Sequence, residues 1–440
     1  MRAVLRHREA RVFLAGWTLS VFGDWAMFIV LGVWAKDLTG SNAAAGLVFF
    51  ALAAPSLMAP LAGMVVDRVS RRLVMIVTYG LEGVGVLALL FVHDRSDMWL
   101  LYAVTVFYGV AGTFAASARS AFMTVLLPRD LLGEANGLFQ TTREGLRLIA
   151  PLVGAAIYAA VGGGAVAVLD SASFVGVVAS LLVLRTPEPR FEREEHHFLA
   201  EVLAGARHIV RTLPLRQIVG ATGVCLLVVG FSETVIFAVL DQGLHRPTSF
   251  FGVLSSLQGC GAIAGGVTAA RLLRRVGDVR LVAAGMAAFA LGEVTFVSTT
   301  LPLVLAGTAV AGAGVAWLIV GFGTAIQLRS PAQLQGRVAA AADTFVSTPQ
   351  TVSIALGAAL ISAVDYRLLV LVEFAVTALC AVYLATRRVA GEDVPPTAPA
   401  PSSPAPSPSQ ARPSSGPAPA PPVTATRSAP APDPAGSCPT

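Results

Sequence analysis

Gly63-Met64-Val65-Val66-Asp67-Arg68-Val69-Ser70-Arg71-Arg72 closes one apolar stretch of the chain and precedes another. At an offset of 203 residues the pattern returns as Gly266-Val267-Thr268-Ala269-Ala270-Arg271-Leu272-Leu273-Arg274-Arg275, with the glycine and three arginines kept and Ala270 in place of the acid. The offset recurs elsewhere: Pro128, Leu131 and Gly133 map onto Pro331, Leu334 and Gly336, and Gly154 maps onto Gly357. A constant period over independent positions marks two copies of one structural unit.

The sequence around these segments decides the class of protein. Of 440 residues, 55% are hydrophobic and 13% charged, roughly half the charge of a soluble globular chain, and mean hydropathy is +0.72. Residues 43–66, 98–118 and 247–270 carry no charge at all, and each is long enough to cross a bilayer as a helix. All but one of the 31 basic residues are Arg, and the lone Lys36 follows Ala35 rather than a glycine, which excludes a Gly-Lys phosphate loop and with it that route to nucleotide binding. The four Cys (Cys225, Cys260, Cys380, Cys438) have no paired spacing, and the His196-His197 pair sits in a charged loop, so neither a disulfide framework nor a metal site is indicated. No His cluster or nucleophile motif lies within the apolar runs, which argues against an enzyme. No cofactor and no nucleic-acid or nucleotide partner is expected.

Twelve helices are predicted, at 12–35, 43–66, 72–93, 98–119, 135–161, 164–185, 213–240, 249–271, 279–299, 302–328, 336–363 and 366–387, giving an all-α membrane fold. The first is too long for a signal peptide and runs straight into further spans. An even count puts both termini on the positive, cytoplasmic side; loops assigned there hold twenty-three basic residues against four (Lys36, Arg95, Arg246, Arg367) on the other. The expected organisation is a six-helix half over 1–185, a polar connector over 186–212, a second half over 213–390 and a tail over 391–440. In that tail, sixteen of the 27 prolines fall in the last 46 residues, a composition that cannot build a core and predicts disorder. Six helices separate each repeat from its counterpart, so the halves share one orientation.

With these features the chain resembles the major facilitator superfamily over residues 10–390. Gly63, Asp67, Arg68, Arg71 and Arg72 match its signature loop between the second and third helices. Phe22-Gly23-Asp24-Trp25, Leu127-Pro128-Arg129 with Ala135-Asn136-Gly137, and Gly336-Arg337-Val338 resemble the drug-exporter branch that includes macrolide efflux proteins, enterobactin exporters and transmembrane secretion effectors. The chain departs from that branch at Ala150, which stands in for a glycine of the Pro151–Gly154 motif, and in the fourth helix, where 101–118 lack the arginine many proton antiporters carry. The resemblance implies a secondary transporter working by alternating access, with the signature loop as a latch on one of the two states. Export is implied in the same way.

Physical chemistry narrows the residues. Gly63 is small enough for helices to approach closely, Asp67 can pair with an arginine or helix N-terminus, and Asp343 near the start of the eleventh helix is the acid expected to meet this latch. Ionisable side chains inside spans are costly unless they face a cavity or a partner. Asp24, midway along the first helix, is expected either to take up a proton or cation or to make a structural hydrogen bond; Glu233 in the seventh is the second coupling candidate. Arg143 and Arg147 share a face of the fifth helix beside Glu144, and need an anionic partner for which Asp24, Glu82 and Asp170 qualify, as a structural network or as part of a substrate site. Glu293 and Glu373 are read as packing or gating groups. Phe22, Trp25, Phe28, Phe231 and Phe237 are expected to give the cavity an aromatic wall. The expectation is a multi-pass protein of the bacterial cytoplasmic membrane, in contact with the lipid bilayer, that uses protons to export a hydrophobic or amphiphilic small molecule. A small-metabolite importer and a non-transporting scaffold acting through the Pro-rich tail are the alternatives.

Overall fold

In lipid, every backbone N–H and C=O must find its partner within the protein, and uncharged runs of this length meet that demand as helices. The computed structural model describes residues 2–66, 68–128, 131–184, 198–331 and 334–387, and among these there is no strand. The helices are α1 (Arg2–Arg6), α2 (Arg8–Thr39), α3 (Asn42–Ala53), α4 (Ala59–Val66), α5 (Arg71–Val86), α6 (Met98–Leu126), α7 (Leu132–Val161), α8 (Gly163–Val183), α9 (Phe198–Arg211), α10 (Leu213–Val229), α11 (Ser232–Ala238), α12 (Phe251–Glu293), α13 (Leu301–Arg329), α14 (Gln335–Leu360) and α15 (Tyr366–Thr386). The expected tail and most of the expected connector lie outside the described residues.

Each of the twelve predicted stretches is largely helical, with breaks that follow from local chemistry. Pro55 has no N–H to give, and the second stretch passes from α3 to α4 through a 3-10 turn over Ala54–Met58. The eighth and ninth stretches run on as α12 and are parted only at Gly277, whose φ of 81° and ψ of 172° break the helix where a side chain would be strained. The connector, expected to be polar throughout, is helical over α9, which packs on α10 and α14. Nine stretches among the described residues are long and apolar enough to cross a membrane; a count of twelve requires α12 to be taken as two and α3–α4 and α14 to be added.

Four apolar clusters form the interior, and their membership is unequal at the two ends of the bundle. At the end bearing the Arg-rich segments, Phe13, Met75, Phe122 and Leu181 pack with residues of the first half alone. There, Leu215, Val282, Ala325 and Val338 pack with the second half and α9 alone. At the opposite end, Ile29, Val33 and Phe49 of the first half share one cluster with Val235, Phe237, Leu254 and Tyr366 of the second. Large side chains such as Val84, Val267 and Leu328 remain more than 70% exposed, as the lipid-facing surface of a membrane bundle requires.

Candidate functional site

The shared end is tied by polar groups as well as apolar ones. Gly40, at φ 68°, turns the chain sharply at the end of α2, and the last turn of that helix presents Lys36 and Asp37. Lys36 Nζ donates to Asp241 Oδ2 at 3.0 Å and to the Gly40 carbonyl at 3.0 Å; Asp241 lies in the π-turn Val239–Gly243 that follows α11. Asp37 accepts from Tyr158 Oη at 2.9 Å and from Thr248 Oγ1 at 2.9 Å, so it joins α7 to the segment before α12. Beneath these ties Phe28 meets Phe49 at 4.9 Å between ring centres, and Phe49 meets Phe237 at 5.9 Å and Phe251 at 6.3 Å. Helices from both halves thus form an aromatic plug. The sequence marks Lys36 as an exception to the charge bias and as a lysine outside any phosphate loop, and carries no signal for Asp37.

A second feature lies within the first half. Tyr108 Oη of α6 is 2.6 Å from Asp24 Oδ1 of α2 and 3.1 Å from Asp170 Oδ2 of α8. Asp170 is completely buried and Glu82 of α5 is 2% exposed, whereas Asp24 is half-buried. Glu82 is within electrostatic reach of both aspartates, and its Oε2 is buried with no hydrogen-bond partner. The second half holds an analogous group: Ser232 Oγ of α11 is 2.6 Å from Glu373 Oε1 and 3.3 Å from Glu293 Oε2, with both glutamates buried. Asp170 and Glu373 stand 203 residues apart, the offset of the sequence repeat. Glu233 is half-buried beside this group and within electrostatic reach of Glu293 and Arg147.

Among the described contacts, Arg143 and Arg147 make no ion pair with Asp24, Glu82 or Asp170. Arg147 lies over the Trp25 ring at 5.2 Å and 3.8 Å from Glu144, its neighbour one turn earlier, and Arg143 is exposed. Spacing showed that both arginines share a face of α7 but not what that face meets. The tyrosine that does hold Asp24 and Asp170 carries no charge, so the search for ionisable groups passed over it.

The latch residues are only partly in place to be compared. Asp67 lies outside the described residues. Arg72 donates through Nε to the Leu181 carbonyl at 2.7 Å and through a terminal nitrogen to that of Leu182 at 3.1 Å, covering carbonyls of the last turn of α8. Arg71 is half-buried and Arg68 exposed. A Cβ on Gly63 would meet no described atom within 4 Å, and Asp343 is exposed. In the second half, an ion pair the sequence did not suggest ties the same end: Arg329, closing α13, forms a two-pronged pair with Asp278 at 2.8 and 2.7 Å.

Of the expected aromatic wall, Phe22, Trp25 and Phe28 are half-buried, while Phe231 and Phe237 are buried within the joined end. An apolar groove opens between α10 and α14, lined by Val219, Gly223, Leu227, Phe345 and Val352, with Arg216 at its edge. Among the described residues, no group of three His, Cys, Asp or Glu is arranged to hold a metal ion.

Comparison with known proteins gives a consistent result. The family described as transmembrane secretion effector matches residues 3–417. No curated protein matches the sequence significantly. Among solved structures, a bacterial homologue of the iron transporter ferroportin in an inward-facing state is similar at 16% identity and TM-score 0.66, covering 86% of this chain and 98% of that one. The nucleoside transporter NupG is similar at 13% identity and TM-score 0.64 over 84% and 99% of the two chains. A POT family transporter in complex with 5-aminolevulinic acid is similar at 11% identity and TM-score 0.66 over 85% and 94%. At these identities the likeness speaks for the fold.

Proposed function

We propose a transport cycle for this chain from the premise that it belongs to the transmembrane secretion effector family, membrane transporters of the major facilitator type and not enzymes. In this reading it is a proton-coupled exporter that moves a hydrophobic or amphiphilic small molecule out across the cytoplasmic membrane of a bacterium. Twelve spans form two halves, 1–185 and 213–390, with both termini, the connector 186–212 and the tail 391–440 in the cytoplasm.

The observation that carries the reading is the unequal joining of the halves. A shared core, the Lys36–Asp241 pair and the Asp37 bridges hold them together at one end, whereas the cores at the Arg-rich end are separate. A bundle that can close at either end, but not at both, passes a substrate without opening a pore. The charge bias puts the end without a shared core in the cytoplasm, the side from which an exporter loads. The apolar groove between α10 and α14 suits an amphiphile whose polar part meets Arg216. Asp24 is the first coupling residue, half-buried on α2, and Glu233 is the second, on the counterpart helix.

Reconstitution in liposomes with an imposed pH gradient tests this, following a panel of lipophilic dyes and macrolides. Wild type is expected to move at least one compound against its gradient. Asp24→Asn is expected to lose gradient-driven movement while still exchanging substrate. Equal activity in both would shift coupling to Glu233 or another acid, and the absence of gradient-dependent transport of any compound would overturn the reading.

A further inference from the structure

The Tyr108 hydroxyl has one hydrogen and two carboxyl neighbours, Asp24 Oδ1 at 2.6 Å and Asp170 Oδ2 at 3.1 Å. It can donate fully to one of them; the other contact is a good hydrogen bond only if that carboxyl carries a proton and donates to the phenol oxygen. Glu82 adds a third carboxyl within electrostatic reach, with Oε2 buried and unpartnered. Three carboxylates together in a low-dielectric interior would repel strongly and lack solvation, a state proteins avoid by binding a cation or protons.

Among the described residues, no cation is paired with them. On α2, Ser20 is the nearby polar group; on α5, Tyr79 is also within reach of Asp24; on α8, Ser173 bonds Asp170 through Oγ, at 2.7 Å to the carbonyl and 3.4 Å to Oδ1. The neighbouring cations are held against aromatic rings: Arg119 of α6 over Trp17 at 5.2 Å, and Arg147 of α7 over Trp25 at 5.2 Å and 3.8 Å from Glu144. Arg143 of α7 is exposed.

We propose that Asp24, Tyr108 and Asp170 form a proton relay into the first half, with Asp170 and Glu82 as the buried storage site. The proposal deepens the proton-coupled reading above and rests on it, since it adds to Asp24 a carrier and a store. Asp24, half-buried, exchanges protons with water. Tyr108 then passes its O–H proton to the Asp170 carboxylate as it takes the proton of the Asp24 carboxyl: one O–H bond breaks and one forms at the phenol, the electron pairs stay on oxygen, and net charge moves from Asp170 to Asp24. Glu82, within electrostatic reach of both aspartates, holds a proton of its own and so removes the third negative charge from the cluster. Tyr108 is the coupling element because without its hydroxyl the two aspartates have no bonded path between them. Its ring also stacks edge-on against Phe174 at 6.0 Å, so Tyr108→Phe removes the hydroxyl and keeps the packing.

Infrared spectroscopy of the full chain in lipid at neutral pH, in H2O and D2O, reads the store directly. Wild type is expected to show protonated-carboxyl absorption that loses intensity in Asp170→Asn and in Glu82→Gln, and that shifts in frequency in Tyr108→Phe. In proteoliposomes, Tyr108→Phe is expected to lose at least tenfold in gradient-driven transport while keeping substrate exchange. Should Asp170→Asn fail to fold, Tyr108→Phe and Glu82→Gln carry the test. Absence of the absorption at neutral pH, its disappearance on adding sodium, or an unchanged band together with unchanged coupling in Tyr108→Phe would overturn the proposal. If the band is present and moves as expected but wild type shows no gradient dependence, the store stands and the proton-coupled reading falls.

Discussion

Asp24 and Gly154 meet different physical demands on neighbouring helices, and single substitutions separate them. A Cβ on Gly154 of α7 would lie 2.5 Å from the Ala26 carbonyl oxygen, a contact with backbone that cannot swing aside. Gly154→Val is therefore expected to destabilise by about 1–3 kcal/mol through overpacking, seen as a lower unfolding temperature in detergent or lipid. Gly63→Ala, facing open space in this state, is expected to stay within about 0.5 kcal/mol of wild type in the same assay. A comparable loss in both would contradict the packing assigned here. Sequence alone singled out Asp24 because a charge inside an apolar run is visible without coordinates. Its partner was not visible: a tyrosine 84 positions away carries no charge and sits in no repeat. Arginine was the natural counter-ion to seek, and the structure instead places Arg147 on the Trp25 ring.

At the scale of elements, the joined end and the helix breaks make separate predictions. Asp241 is 56% exposed, so its pair with Lys36 is screened by water, and a double-mutant cycle with Lys36→Gln and Asp241→Asn is expected to give a coupling of only about 0.2–1 kcal/mol. Even so, each change is expected to move the conformational balance away from the joined state, measured as faster labelling of cysteines placed around Phe237. Unchanged labelling in both variants would show that the aromatic plug holds that end unaided. Gly277→Ala is expected to cost roughly 1 kcal/mol, because φ of 81° suits glycine and little else, and a thermal melt checks it. Element positions were readable from apolar runs and charge bias, since both record the thickness and polarity of the bilayer. The 3-10 turn at Pro55 and the helix over 198–211 were less so. The turn depends on how the chain resolves a missing donor, and α9 on the surface that α10 and α14 offer it.

For the whole molecule, the proposed cycle has the two repeats rock between two closures, only one of which the structure holds. The repeat at 203 residues was read in the sequence, while the choice of end that is joined was not, because a pseudo-symmetric sequence encodes both states and a structure holds one. Removal of residues 394–440 is expected to leave transport intact, since the described groups joining the halves lie before residue 388; loss of transport on truncation would favour the scaffold alternative. The most direct test of alternating access is a pair of spin-label distances in lipid bilayers, one across each end. Labels at Arg95 and Gln242 report the joined end and labels at Ser120 and Arg274 the Arg-rich end, with Cys260 and Cys438 replaced by Ser. Acidification and substrate are predicted to shift the two distances in opposite senses, one lengthening as the other shortens. Distances that change together, or that both stay fixed while transport proceeds, would contradict the account.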